Sequence, residues 1–116
     1  MVDILSKVKE INEFAVQLEE RKDFLKSKLS EVDREICDIQ HAAEFFNLNA
    51  AQGYKLYAML HDACLRRRSY KNEIREIELT LGKKIDKDSM ADLEKRLTAG
   101  NNKTYKPRVL KELFES

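Results

Sequence analysis

Residues that interrupt helices are scarce in this chain. It holds three glycines, one proline and no tryptophan in 116 residues. Charged residues make up 37% of it and hydrophobic residues 42%, a composition typical of long helices and coiled coils. We therefore expect an all-α fold with an extended apolar seam, formed by a long antiparallel helical hairpin and two short C-terminal helices.

Long hydrophobic runs are also missing. No segment approaches the ~20 apolar residues that a membrane-spanning helix needs. Residues 1–20 mix charged and apolar side chains throughout, unlike a secretion signal. We expect a cytoplasmic protein without membrane association, in which the two cysteines, Cys37 and Cys64, are reduced thiols.

A strong excess of one charge is absent as well, since the net charge is +1. The charges are nevertheless unevenly distributed. Residues 1–47 carry seven basic and eleven acidic side chains, and residues 48–82 carry six basic and four acidic ones. This pattern predicts that an acidic first helix packs against a more basic second helix.

The first 47 residues show a sustained heptad pattern. Apolar residues recur at alternating steps of four and three, and twelve of 13 such positions are apolar. The pattern predicts a helix over about residues 2–47. Its positions are Ile4, Val8, Ile11, Ala15, Leu18, Lys22, Leu25, Leu29, Val32, Ile36, Ile39, Ala43 and Phe46.

A second helix is predicted over residues 50–81. Asn49 and Gln52 have the spacing of a capping box at its start. Gly82 follows its last apolar residue, where a left-handed terminal residue is expected. The heptad positions of this helix are Leu56, Leu60, Ala63, Arg67, Tyr70, Ile74, Ile77 and Leu81.

The short connection makes the two helices antiparallel neighbours, so residues 1–82 form one hairpin. The first helix is longer, and its stretch from Ile4 to Phe14 has no partner on the second. A C-terminal helix or a second chain must cover that stretch. Apolar residues beside the seam widen the stripe further, which indicates a bundle of three or four helices. Dimerisation or packing of the C-terminal helices would form such a bundle, and we expect a homodimer. The alternative is an exposed surface for another partner.

Residues 83–116 are expected to hold two short helices joined by polar linkers. Ser89 and Asp92 resemble a capping box for a helix over about 89–99, which Gly100 ends. Pro107 suits the first turn of a helix over about 107–115. Val109, Leu110, Leu113 and Phe114 would form the apolar stripe of that last helix.

Two cysteines and two histidines form a candidate metal site. Cys37 and His41 share one face of the first helix, and His61 and Cys64 share one face of the second. The antiparallel hairpin brings the two pairs near one level, and two Cys with two His are a structural zinc set. The alternative is two surface histidines and two half-buried thiols, and we favour this alternative, so no cofactor is expected.

The densest basic cluster lies on the second helix. Arg66, Arg67 and Arg68 are followed by Lys71 and Arg75. Arg68, Lys71 and Arg75 share a face that suits phosphates or an acidic partner. The alternative is a solvated face that the acidic first helix neutralises.

The segments Arg66–Ile74 and Tyr105–Phe114 resemble small coiled-coil accessory proteins of bacteriophages and prophages of Gram-positive bacteria. The resemblance carries no functional residue over. It implies a setting in which the protein binds and redirects or inhibits a host protein, such as a component of a defence system.

The sequence therefore predicts a non-enzymatic protein–protein interaction module, because it contains no catalytic constellation. The basic face of the second helix is one candidate partner-binding surface. The C-terminal tail, with Tyr105, Arg108, Leu110 and Phe114, is the other. A nucleic-acid-binding accessory protein and a structural coiled-coil scaffold remain the alternatives.

Overall fold

The computed structural model describes residues 3–82, 87–101 and 105–115. These residues form three α-helices and one 3₁₀ helix, and none of them lies in a β-strand. The all-α prediction is therefore confirmed. The chain divides into two compact units, Met1–Lys83 and Lys84–Ser116. The elements are α1 (Ile4–Phe45), α2 (Ala50–Leu81), α3 (Lys87–Asn101) and the 3₁₀ helix (Lys111–Phe114).

Helix α1 contains 42 residues, which corresponds to roughly 63 Å at 1.5 Å per residue. Asp3 caps it, since the backbone N–H of Ser6 donates to the Asp3 carboxylate at 3.3 Å. The helix ends at Phe45, two residues before the expected end. Phe46 already has an extended backbone, so its side chain leaves the predicted seam and is 65% exposed.

Helix α2 begins with the predicted capping box. The backbone N–H of Gln52 donates to the Asn49 side chain at 2.9 Å, and the backbone N–H of Asn49 donates to the Gln52 side chain at 3.1 Å. The prediction of a left-handed backbone at Gly82 is wrong, because its φ is −81° and its ψ is −3°. Gly82 continues the right-handed backbone by one residue, and its N–H donates to the carbonyl of Glu78 at 3.1 Å.

The two helices pack along one apolar seam with two buried clusters. Leu25, Ile74 and Ile77 form the cluster farther from the connection. Val32, Ile39 and Ala63 form the cluster nearer to it. Leu29 and Tyr70 contact both clusters, so the seam is continuous. The hairpin prediction is confirmed, and its core is a narrow stripe.

The heptad assignment of α2 is confirmed at all eight predicted positions, each of which is buried or half-buried. In α1 the assignment holds from Ala15 to Ile39. It is wrong for Ala43, which is exposed while the neighbouring Ala42 is half-buried. Ile4, Val8 and Ile11 also stay exposed, because α2 ends before it reaches them.

The second unit holds α3 and the tail. Because α3 begins at Lys87, Ser89 lies inside the helix and does not cap it, and Gly100 does not end it. Leu93 is buried in this unit. The expected loop over residues 83–88 and the expected linker over residues 101–106 are wrong at the ends of α3, because Lys87, Asp88 and Asn101 are helical. Residues 83–86 and 102–104 lie outside the described residues.

The predicted helix over residues 107–115 is wrong. Only Lys111–Phe114 are helical, as a single 3₁₀ turn in which the Leu113 N–H donates to the Leu110 carbonyl at 3.3 Å. Val109 and Leu113 are largely exposed. A segment this short does not form a stable α-helix unless packing buries its apolar face.

Among the described helices, none combines the length and the apolar character of a membrane span.

Candidate protein-interaction surfaces

The basic cluster of α2 is partly neutralised within the hairpin. Arg66 binds two carboxylates, with Nη2 at 2.7 Å from Glu35 of α1 and Nε at 2.9 Å from Asp62. Arg67 donates to Asp33 of α1 at 2.7 Å. The predicted attraction between an acidic α1 and a basic α2 is therefore present at these two arginines.

The other three basic residues of this cluster differ in their surroundings. Arg68 and Lys71 are exposed, whereas Arg75 is half-buried. Arg68 lines an open surface groove of about 430 Å³ together with the carboxylates of Glu73 and Glu76. These carboxylates reduce the positive potential that a nucleic-acid backbone would meet on this face.

In a third contact between the helices, α1 supplies the positive side chain and α2 the negative one. Arg21 of α1 donates to both carboxylate oxygens of Glu73 on α2, at 2.6 and 3.2 Å. This hydrogen bond lowers the pKa of the Glu73 carboxyl and raises the pKa of Arg21. A bidentate ion pair of this kind fixes the relative orientation of the two side chains better than a single hydrogen bond does.

Phe24 lies between two cations on the surface of α1. The Arg21 guanidinium carbon is 5.2 Å from the centre of the Phe24 ring, and the Lys28 Nζ is 5.6 Å from it. Residues 21, 24 and 28 share one helix face, so these contacts follow from helical spacing. They hold a half-exposed aromatic ring in place beside the Arg21–Glu73 contact.

The four candidate zinc ligands do not come together. Cys37 Sγ and His41 Nδ1 are 3.6 Å apart, but within the described part of the chain no three His, Cys, Asp or Glu side chains come together as metal ligands. Both histidines lie at the surface as expected, but the expectation of half-buried thiols is wrong, because both cysteines are exposed. Each histidine instead stacks on an aromatic ring of its own helix, because these residues lie on outer faces away from the seam.

The unpaired N-terminal end of α1 is an apolar surface. Leu18 and Leu81 flank the same buried cluster, so α2 ends near the level of Leu18. Residues 4–14, named here the overhang, extend beyond that level. Their large apolar side chains are 43–74% exposed. These are Ile4, Leu5, Val8, Ile11 and Phe14.

The opposite end of the hairpin is uncharged and aromatic. Residues 45–54 contain no charged side chain, in a chain of which 37% is charged. Phe45, Phe46 and Tyr54 are 65–73% exposed at this end. His41 stacks on Phe45 with 5.9 Å between ring centres, which extends the aromatic surface along α1.

A second surface groove lies between the two helices, close to this end, and we name it the acidic groove. Its volume is about 310 Å³. Three carboxylates and one arginine surround an apolar floor. The lining residues are Glu35, Asp38, Ile39, Met59, Asp62 and Arg66. The sequence analysis missed this groove, although the i, i+3 spacing of Glu35 and Asp38 places both carboxylates on one helix face.

The C-terminal tail presents apolar and basic side chains together. Tyr105 and Phe114 are in contact, with 5.6 Å between ring centres and 43° between the ring planes. Leu110 is 55% exposed and Val109 is 83% exposed. Arg108 is exposed as well. The four tail residues predicted to bind a partner are thus all accessible.

The chain matches no protein-family model, and the comparisons with curated proteins and with solved structures also return no match.

Proposed function

We propose that this chain is a non-enzymatic protein–protein interaction module whose overhang packs against a helix of another chain. The observation that carries this proposal is the continuation of the seam beyond the hairpin. Ile4 and Ile11 occupy the same heptad position as the buried Leu25 and Val32. Val8 occupies the other apolar position of the heptad, that of the half-buried Leu29. The three overhang residues differ in that no helix of the same unit lies opposite them.

The exposed apolar side chains of the overhang are suited to burial against a partner. Clustered large apolar side chains on a charged helix mark interaction sites more often than inert surface. Burial of apolar area stabilises an interface by about 25 cal/mol per Å² before the cost of association is subtracted. Leu5 and Phe14 flank the three heptad residues, so the stripe is wide enough to contact more than one helix.

A second copy of the chain is the first partner that we propose for the overhang. Two overhangs that pack antiparallel would pair Val8 of one copy with Ile11 of the other and form a homodimer. The seam pattern is shared by both copies, so the apolar positions match without any further partner. Higher-order assembly, as in a structural scaffold, would need an additional contact.

A host protein is the second partner that we propose. The resemblance to phage-encoded coiled-coil proteins supports a role as an inhibitor or modulator of a host factor, for instance in defence. The exposed tail residues Tyr105, Leu110 and Phe114 and the uncharged aromatic end of the hairpin are the surfaces that support such a contact.

Nucleic-acid binding has less support than protein binding. Of the five basic residues that suggest it, Arg66 and Arg67 contact carboxylates of the hairpin. Arg68 shares its groove with Glu73 and Glu76. A phosphate backbone would therefore have to displace ion pairs or approach carboxylates on this face.

Site-specific photo-crosslinking tests the proposed use of the overhang. A benzophenone amino acid at Phe14 replaces one aromatic side chain by another within the overhang. The same amino acid at Glu13 probes an adjacent position that is not part of the apolar stripe. We expect a crosslinked species from position 14 and much less from position 13. Equal yields at both positions, or no product at position 14, would contradict the proposal.

A further inference from the structure

The acidic groove is a concave surface that the proposed function leaves unused. Its floor includes Ile39, which is buried, and Met59, which is half-exposed. Arg66 already binds Glu35 and Asp62 at the rim. Within residues 3–82 the structure gives Asp38 no ion pair, so one carboxylate remains available to a cation.

The chemistry of an occupant follows from these groups. The three carboxylates exceed the single arginine, so the groove favours a positively charged segment. The apolar floor favours aliphatic side chains beside the positive charge. An anionic membrane or a nucleic acid would be repelled by the same carboxylates.

The tail of this chain has that chemistry. Lys106, Arg108 and Lys111 are positive, and no acidic residue lies between them. Leu110 lies between Arg108 and Lys111 and is 55% exposed. Leu113 follows Lys111 by two residues and is 71% exposed. The tail therefore combines the charges and the apolar side chains that the groove selects.

The tail has the sequence pattern of an amphipathic helix, although only part of it is helical in the structure. This pattern also supports binding of the tail to the acidic groove. Pro107 and the apolar residues Val109, Leu110, Leu113 and Phe114 have the spacing of an amphipathic helix, yet only one 3₁₀ turn forms. A helix of this kind forms when a groove buries its apolar face, and the charges beside that face then fix its orientation.

We propose that the acidic groove binds the tail of a second copy of this chain, with Arg108 at Asp38 and with Leu110 and Leu113 on the floor. Docking extends the 3₁₀ turn into an amphipathic helix. This contact does not use the overhang. It can therefore fail while the proposed use of the overhang holds, and the reverse is also true.

Binding of a fluorescent synthetic peptide that spans residues 104–116 to the full-length chain tests the proposal by fluorescence anisotropy. Asp38→Lys should weaken binding about five- to tenfold, because it replaces an attraction by a repulsion. Asp23→Lys is the matched control, since it makes the same charge change at an exposed position of α1 outside the groove. It should change binding less than twofold.

A charge exchange makes the test specific. A peptide with Arg108→Glu should bind the wild-type chain weakly and bind the Asp38→Lys chain better than the wild-type peptide does. Absence of binding to the wild-type chain, equal losses in Asp38→Lys and Asp23→Lys, or failure of the exchange would overturn the proposal.

The full-length Arg108→Glu chain shows whether the tail in the groove comes from a second copy or from the same chain. The tail of this variant should compete poorly with the peptide for the groove, because its charge at residue 108 is reversed. If it binds the wild-type peptide about as well as the wild-type chain does, a second copy supplies the tail. If only the Arg108→Glu chain binds the peptide, the groove of the wild-type chain is filled by its own tail, and the proposed second-copy contact is wrong.

Discussion

Asp33 of α1 and Arg67 of α2 join the two helices through a 2.7 Å ion pair, although Arg67 occupies a heptad position of the seam. Arg67 is half-buried, so its stem contributes to the seam while its guanidinium reaches the carboxylate. The heptad pattern places Arg67 on the seam. The pattern does not identify the partner of Arg67, because it gives the face of a helix and leaves the axial level of the second helix open.

A double-mutant cycle at Asp33 and Arg67 should give a small coupling energy. The two side chains are 50% and 41% exposed, and solvent screens such pairs. We expect about 0.2–1 kcal/mol between Asp33→Asn and Arg67→Gln, from chemical denaturation. A coupling energy well above this range would show that the pair is desolvated in solution.

Leu25→Ala should destabilise the hairpin strongly. Leu25 is fully buried against Ile74 and Ile77, so truncation removes apolar contacts and leaves a cavity. We expect a loss of about 2–5 kcal/mol in the free energy of unfolding. Val16→Ala is the control on the same helix, since Val16 is 57% exposed and its truncation should change stability by less than about 0.5 kcal/mol. Similar losses for both variants would contradict the seam.

Asn49→Ala should weaken the start of α2. The Asn49 side chain accepts the backbone N–H of Gln52, and its loss leaves that donor without its cap. We expect a cost of about 1 kcal/mol in thermal or chemical denaturation. Asn47→Ala removes the same amide from the exposed connection and should have little effect. If Asn47→Ala cost as much, the capping box would not explain the result.

The fold was more predictable than the surfaces. The positions from Leu56 to Leu81 follow from periodicity, and the cap follows from the spacing of Asn49 and Gln52, since both signals are local. The helix predicted over residues 107–115 is wrong, because this segment offers no surface against which its own apolar side chains could pack. The contacts of Arg66 with Glu35 and the acidic groove depend on the level at which two helices meet, which a local pattern does not give.

The hairpin should lose stability in acid through Glu73. Its pKa is lowered in the folded state by Arg21, so the contact contributes fully above the ordinary value of 4.5 and is lost as the pH falls through the folded-state pKa. Both side chains are more than one-third exposed, so we expect less than about 1 kcal/mol.

Denaturation of Glu73→Gln and the wild type between pH 7 and pH 3 measures this contribution. The difference in stability between the two proteins should shrink as the pH falls below 4.5. Glu13→Gln, at an exposed position of the overhang, is the control and should not alter the pH dependence. A difference that stays constant down to pH 3 would assign the effect of Glu73 to something other than its charge.

Light scattering after size exclusion shows whether the overhang packs against another chain. All proteins carry Arg108→Glu, so that the proposed tail contact does not contribute, and each is measured in low and in high salt. We predict the mass of two chains in both buffers, because the contact is apolar. Ile11→Asp should give the mass of one chain with unchanged helical content. Ser6→Asp, which adds the same charge at an exposed position on the opposite face of the overhang, should remain a dimer. A single-chain mass for the parent protein in both buffers, or equal behaviour of the Ile11 and Ser6 variants, would contradict the homodimer that we propose.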